Sequence, residues 1–322
     1  METDEIAAAS AAFRRGAFDE CVTISNRAIE SPEMRGNPPA FWWFRCIMAQ
    51  CLGMQGRFAE ALDLVEVNKL TTGLESALLG QLLIQKSFYL SRIGNYLQAR
   101  DVLQEAADLA DETGQLSLRC EVEINQMTLA FYMADHEGME RRARSALSLS
   151  LQHGLPLVEA RACSGIGKSF MLKGEFAEAI TWYERSRGRF VDAGLSFEAD
   201  GILSELGCCY YGLKEDDRAL QYYEQALQSS LEARAMPTYQ IDLANIGNIY
   251  LRRGEFSAAI LNYQKAVEIA RELGDWISVA KWLGNLAHAY SVMGNALLAE
   301  NFELQAEQAQ RKVAQARAAA AI

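Results

Sequence analysis

Glycine returns along this chain at intervals near forty residues, and that regularity limits the fold more than any single motif does. Gly16, Gly56, Gly94, Gly174, Gly254 and Gly294 are separated by 40, 38, 80, 80 and 40 residues. Ala134 and Lys214 occupy the two skipped places, so the turn is expected to persist there with a weaker residue. Two residues beyond most of these turns stands an aromatic: Phe18, Phe58, Tyr96, Phe176 or Phe256. Five residues beyond stands a small side chain: Cys21, Ala61, Ala99, Ala179, Ala219, Ala259 or Ala299. A second glycine series, Gly114, Gly154, Gly194 and Gly274, fits the left-handed conformation that stops a helix. Pro32, Pro38, Pro39, Pro156 and Pro237 are expected between repeats, where no helix is interrupted. Such a period means one small unit copied along the chain, each copy burying its apolar face against the next.

The unit is clearest at Ile241–Gly274, which reads as two amphipathic helices meeting at Gly254. The first carries Leu243, Ile246, Gly247 and Tyr250; the second carries Phe256, Ala259, Tyr263 and Ala266. Spacings of three and four place each set on one helical face. Gly167, Gly207, Gly247 and Ala287 recur at one place in the first helix, where a small residue permits close helix contact.

This pattern resembles the tetratricopeptide repeat, whose first helix has the form L-x-x-[LI]-G-x-x-Y. The second has the form G-x-[YF]-x-x-A-x-x-x-Y-x-x-A. The match is best at Leu243/Ile246/Gly247/Tyr250 with Gly254/Phe256/Ala259/Tyr263/Ala266. It is nearly as good at Ile166/Gly167/Phe170 with Gly174/Phe176/Ala179/Tyr183, and at Leu203/Leu206/Gly207/Tyr210 with Ala219/Tyr223/Ala226. The common period of that family is about 34; forty resembles its longer-helix variants, such as kinesin light chain, the Pins-type adaptors and several bacterial regulators. Repeat 1 departs from the pattern with Ala8, Ala9 and Ala12, which suits a terminal cap, and repeat 2 is two residues short. Repeat 4 is the most degenerate, with Met127, Ala134, His136 and Met139 at signature places.

The resemblance implies an all-α, right-handed superhelical solenoid of about eight helix-turn-helix repeats. As one array over residues 1–322, the repeats fall at 2–41, 42–79, 80–119, 120–159, 160–199, 200–239, 240–279 and 280–319. A long capping helix with a frayed tail is expected over Asn295–Ile322.

Composition narrows the function. A net charge of −11, from 31 basic and 42 acidic residues, argues against a broad nucleic-acid footprint. No apolar run reaches the roughly 18 residues of a membrane span, and the acidic start, Met-Glu-Thr-Asp-Glu, lacks the order of a signal peptide. The 7 cysteines are odd in number and lack CxxC spacing, which suits thiols in a reducing, cytoplasmic setting.

Candidate chemistry is sparse. Ala162–Ser169, ACSGIGKS, fits a loose phosphate-binding loop pattern, but the register puts Gly167 inside a first helix with no strand before it. A nucleotide-binding role through that segment is therefore a remote alternative. His136, His153 and His288 lie in different repeats with no companion ligands at metal spacing. No catalytic residue, metal or cofactor is expected. The aromatics Phe41–Phe44 read as core rather than as a ligand platform.

In arrays of this family the first helices line a concave groove. Read in register, the second half presents Arg161, Lys168, Asn245, Asn248, Arg252, Lys281, Asn285 and His288 there, with Glu205 dissenting. The earlier repeats present Gln81, Ile84, Gln85, Phe88, Asn125, Thr128 and Phe131. Asn245, Asn248 and Asn285 resemble the asparagines with which many such domains hold a peptide backbone or terminal carboxylate. A carboxamide can satisfy both the N–H and the C=O groups of an extended peptide, and nearby cations attract acidic side chains. The expectation is a non-enzymatic scaffold for a protein or peptide, one bearing acidic residues or a free C-terminal carboxylate. Nucleic acid and membrane are not expected partners. The alternative is a peptide-sensing regulator acting on a separate effector.

Overall fold

A computed structural model describes residues 2–31, 38–66 and 74–319. Among them the chain is α-helical throughout, with sixteen helices and no strand. The first eight are α1 (Glu2–Arg14), α2 (Phe18–Glu30), α3 (Pro38–Met54), α4 (Phe58–Leu64), α5 (Ser76–Arg92), α6 (Tyr96–Thr113), α7 (Leu116–Tyr132) and α8 (His136–His153). Then follow α9 (Pro156–Leu172), α10 (Phe176–Asp192), α11 (Ser196–Gly212), α12 (Asp216–Glu232), α13 (Met236–Arg252), α14 (Phe256–Glu272), α15 (Trp276–Val292) and α16 (Ala296–Ala319). Odd- and even-numbered helices pair as hairpins in the expected register. The capping helix is α16; residues 320–322, where a frayed tail is expected, lie outside the described residues.

The turns are where the sequence acts most directly on the backbone. Gly254 has φ +77° and Gly154 φ +65°, a region in which a Cβ collides with the following carbonyl. Ala134 and Lys214 hold the same conformation at φ +59° and +63°, so the skipped registers do keep the turn. Arg234, at +52°, supplies the stop between α12 and α13 that the second glycine series omits. Side chains support several starts: Asn95, Asp135, Asp275 and Asn295 each accept a bond from the backbone N–H three residues on.

The described prolines keep to the junctions between hairpins, and α4 is the helix that differs in length. Pro38 and Pro39 open α3, Pro156 is the first residue of α9 and Pro237 the second of α13, so each stands where one hairpin gives way to the next and interrupts no helix; an N–H there has no intrahelical acceptor, so nothing is lost. Pro32 lies outside the described residues. Helix α4 ends at Leu64, after only seven residues, where Arg45 of α3 donates to the carbonyls of Asp63 and Leu64 at 2.9 and 2.8 Å. The side chain thus takes up acceptors that a further turn would have used.

The chain forms two compact units, Met1–Ile202 and Leu203–Ile322, the division falling inside α11. In the first unit, the core passes from Trp42, Ala61, Leu82 and Tyr89 through Leu83, Leu103 and Leu118 to Ile124, Met139, Ala162 and Ile166. Trp42 and Phe44 are buried, as expected for a core role. In the second unit Leu243, Tyr263, Val279, Trp282 and Leu286 form the core, closed by Ala306 and Ala309 of α16. Ala162–Ser169 lies wholly within α9, without the strand a phosphate loop requires.

Candidate functional site

In the second unit the candidate face is built outward from a glycine. A Cβ on Gly247 would meet the Tyr263 ring at 2.8 Å, so only glycine lets α14 lie this close to α13. The close approach buries Tyr263 completely and brings its hydroxyl to the residue that follows Gly247 on α13. There it donates to Asn248 Oδ1 at 2.7 Å. Burial pushes the Tyr263 pKa up, so the donor keeps its proton at any physiological pH.

Asn285, on α15, donates from Nδ2 to the same oxygen at 3.2 Å. Two donors therefore fix the Asn248 carbonyl inward, leaving its NH₂ turned the other way. Asn245, Asn248 and Arg252 sit three and four residues apart on α13, and Lys281, Asn285 and His288 lie four and three apart on α15. Asn245 is half-buried, while Lys281 and His288 are exposed. Lys281 Nζ lies 4.6 Å from the Trp282 ring centroid.

Arg252 is committed to its own unit. Its guanidinium lies 3.7 Å from the Tyr211 ring centroid, pairs with Asp216 and donates to the Tyr211 carbonyl at 3.0 Å. The register placed this cation on the candidate face but did not reveal its anchors on the preceding repeat.

One repeat earlier the same plan appears with different polar groups. Tyr223 packs on Gly207 and donates to Cys208 Sγ at 3.2 Å. Behind it lies a carboxyl that the register alone did not single out. Asp242 has no exposed surface; Ser204 Oγ donates to its Oδ1 at 2.7 Å, and Oδ2 has no hydrogen-bond partner. Burial pushes its pKa up to about 7, against the Ser204 bond and with help from the nearby Glu205 charge. Its signal was available in the sequence, where Ala162, Ile202 and Trp282 hold the equivalent place.

In the first unit Arg161 is exposed and donates to Glu121 Oε2 at 2.7 Å, and Lys168 lies 5.5 Å from the Phe131 ring centroid. Asn125 and Thr128 bond to carbonyls of their own helix, at Glu121 and Ile124. Ile84 is buried in the core among Leu83, Val102 and Leu103 and does not line a groove, which corrects its assignment. Of the eight site residues expected from sequence, Asn248 and Asn285 are directly bonded to each other. No group of three or more His, Cys, Asp and Glu able to hold a metal occurs among the described residues, and none of their helices is long and apolar enough to cross a membrane.

Two tetratricopeptide repeat models match the chain, over residues 201–232 and 239–312. Outer dynein arm-docking complex subunit 4 of Mus musculus is 27% identical over 152 residues, which is 47% of this chain and 22% of that protein. The Bos taurus protein is 27% identical over 152 residues, 47% of this chain and 20% of its own length. The match therefore spans about a fifth of these relatives.

Among solved structures, a Rap protein in complex with Competence and Sporulation Factor superposes with TM-score 0.65 at 13% identity, covering 98% of this chain and 99% of its own. The Rap conjugation gene regulator of plasmid pLS20, in complex with the Phr* peptide, gives 0.68 at 12%, covering 93% and 86%. A signal transduction ATPase with a tetratricopeptide repeat sensor from Pyrococcus horikoshii gives 0.56 at 16%, covering 92% and 44%. At these identities the likeness is one of fold.

Proposed function

The chain is a tetratricopeptide-repeat protein, and we propose that it is a non-enzymatic scaffold holding an extended peptide along the first helices of its repeats. The observation that carries this reading is the Asn248–Asn285 pair, whose amides are bonded to each other and oriented by Tyr263. An orienting bond of this kind is worth about 1 kcal/mol and lowers the entropy cost of holding a peptide N–H or C=O. Asn245, Lys281 and His288 complete the face in the second unit, and Arg161 and Lys168 add cations in the first. Arg252, expected on this face, is paired with Asp216 and bonded to the Tyr211 carbonyl, so Lys281 is the cation of this face in the second unit that suits an acidic side chain or a terminal carboxylate. In this proposal the repeats form one array over residues 1–322 and work in the cytoplasm, where free thiols are kept reduced.

A second reading is a peptide-sensing regulator acting on a separate effector. It draws support from the two Rap structures of similar fold, one described in complex with Competence and Sporulation Factor and the other with the Phr* peptide. The two readings share the same groove and differ in what binding does. The dynein-arm docking relatives favour the scaffold reading, since docking is their described role.

The test is selection of displayed, unstructured peptides with free and with amidated C-termini. Binders enriched by the native protein should lose at least tenfold affinity for the Asn245→Ala/Asn285→Ala variant, with helicity unchanged. Equal affinity for both proteins would remove the groove assignment. Loss of binding on amidation identifies a terminal carboxylate as the recognised group.

A further inference from the structure

Two departures from the repeat pattern fall at one place in the second unit. From the third repeat to the eighth, the third residue of the repeat is apolar and buried: Leu82, Val122, Ala162, Ile202 and Trp282. The seventh repeat breaks that series with Asp242. Three residues on, at a place on the candidate face, the series is uncharged: Gln85, Asn125, Gly165, Asn245 and Asn285. The sixth repeat breaks it with Glu205, whose charge opposes the cations of that face.

The fold brings the two exceptions together. Ser204, the residue before Glu205 on α11, donates to Asp242 Oδ1 at 2.7 Å. One repeat later the place of Asp242 is filled by Trp282, whose Nε1 is satisfied by Gln240 Oε1 at 3.1 Å. Asp242 is not satisfied: its Oδ2 is buried with no hydrogen-bond partner. The hydroxyls around it are already used, that of Ser204 on Oδ1 and that of Tyr223 on Cys208 Sγ at 3.2 Å. A buried acceptor left open weakens the fold, and a donor carried by a ligand would complete it. Asp242 has no surface of its own, but Ser204 and Glu205 are half-buried, so the approach is past these two. The described residues contain no group of three or more His, Cys, Asp and Glu placed for a metal ion. An organic cation, whose N–H groups can serve both carboxyls, fits instead.

We propose that Glu205 and Asp242 form a subsite for a basic side chain, lysine or arginine, of the bound peptide. The subsite rests on the peptide-holding role proposed for this face and adds a specificity to it. The cation pairs with Glu205 and, as the Ser204 side chain turns aside, donates to Asp242 Oδ2. Successive first helices touch through the Ser204–Asp242 and Asn248–Asn285 bonds. Helices in contact lie about 8–10 Å apart and an extended peptide advances about 3.3 Å per residue, so each repeat spans about three residues. Glu205 and Lys281 belong to the sixth and eighth repeats. The peptide therefore carries its basic residue about five or six residues from the carboxylate that Lys281 meets.

The experiment selects binders from a displayed library of random, unstructured peptides on the 322-residue chain. Selected peptides should share a lysine or arginine at one position. As synthetic peptides they should lose at least tenfold affinity when that residue becomes norleucine or citrulline, which keep the length and remove the charge. Glu205→Gln and Asp242→Asn should each bind the basic peptide at least tenfold more weakly and the neutral peptide as the native protein does. Equal weakening of both peptides would give the two carboxyls a structural role and overturn the subsite. Binders that depend on Asn245 and Asn285 but share no basic residue, or that bind Glu205→Gln unchanged, overturn it and leave the peptide-holding role standing. Binders indifferent to Asn245→Ala/Asn285→Ala overturn both. The norleucine and citrulline comparison on the native protein decides the charge preference even if a variant fails to fold.

Discussion

Phe18, at the start of α2, meets Phe197, at the start of α11, edge to face with ring centroids 5.3 Å apart. The contact lies within the first unit and joins its first hairpin to its last helix. Phe18 differs from its counterparts because of it. Phe58, Tyr96, Phe176 and Phe256 are half-buried at the same place in their repeats, whereas Phe18 is 2% exposed. Among the described residues a hairpin whose neighbour in sequence is α3 alone normally has that one contact to lean on. This one has a second, far along the chain.

Removing that second neighbour should loosen the hairpin without unfolding the unit. An aromatic pair of this geometry contributes about 0.5–1.5 kcal/mol beyond the area it buries. Phe197→Ala should therefore speed amide hydrogen exchange in α1 and α2 by about three- to tenfold or more, leaving α9 and α10 unchanged. Unaltered exchange in α1 and α2 would show that the contact carries no load.

Gly247 should tolerate no side chain. The methyl of Gly247→Ala would arrive 2.8 Å from a ring that is buried on all sides, so the ring cannot swing away. Overpacking of this kind costs about 1–3 kcal/mol. Tyr263→Phe, which keeps the ring and deletes the hydroxyl, should cost about 1 kcal/mol and leave the Asn248 amide held by Asn285 alone. Urea denaturation separates the two effects. A Gly247→Ala protein as stable as the native one would mean that α13 and α14 approach less closely than described.

The period and the hairpins were legible because they depend on single residues meeting local backbone demands. Gly254 needs no neighbour to explain its φ of +77°, and phase alone located turns at Ala134 and Lys214. Arg234 was missed in the same series although its phase was equally available. For the proposed site, spacing put Asn245 and Asn285 at one place in successive repeats and Asn248 on the face of Asn245, and Asn285 bonds to Asn248. What each side chain then does depends on the neighbouring repeat. Arg252 is held by Asp216, and Ile84 joins the core through Val102 and Leu103. Neither relation follows from the spacing within one helix.

Where a turn uses a residue with a Cβ, glycine should be better. Lys214 holds φ +63°, a conformation costing about 1–2 kcal/mol for a residue other than glycine. Glycine relieves that strain, but its unfolded state gains about 0.4–1 kcal/mol of entropy. Lys214→Gly should consequently raise stability by roughly 0.5–1 kcal/mol, read as a higher thermal midpoint. Gly154→Ala, the reverse change at φ +65°, should lower it by a similar amount. A lower midpoint for Lys214→Gly would show that its side chain contributes more than its backbone costs.

Asp242 makes the stability of the second unit depend on pH in an unusual direction. Its carboxyl titrates near 3.8 when unfolded and is pushed up to about 7 when folded, chiefly by burial. Between those values the folded state binds a proton that the unfolded state has released, so stability falls as pH rises. The contribution is fully present below pH 3.8, shrinks through the interval and is lost above about pH 7. Ser204 bonds to one carboxyl oxygen, while the neighbouring Glu205 charge deepens the penalty of ionisation. Asp242→Asn keeps the shape and removes the charge. Each tenfold difference in proton affinity between the folded and unfolded chains corresponds to about 1.4 kcal/mol. Relative to the native protein the variant should therefore gain a few kcal/mol at pH 8 and little at pH 4. Urea midpoints for both proteins across that range test the sign directly. A gain that is the same at pH 4 and pH 8 would assign the effect to packing, and a loss at pH 8 would mean that the ionised carboxylate is paired.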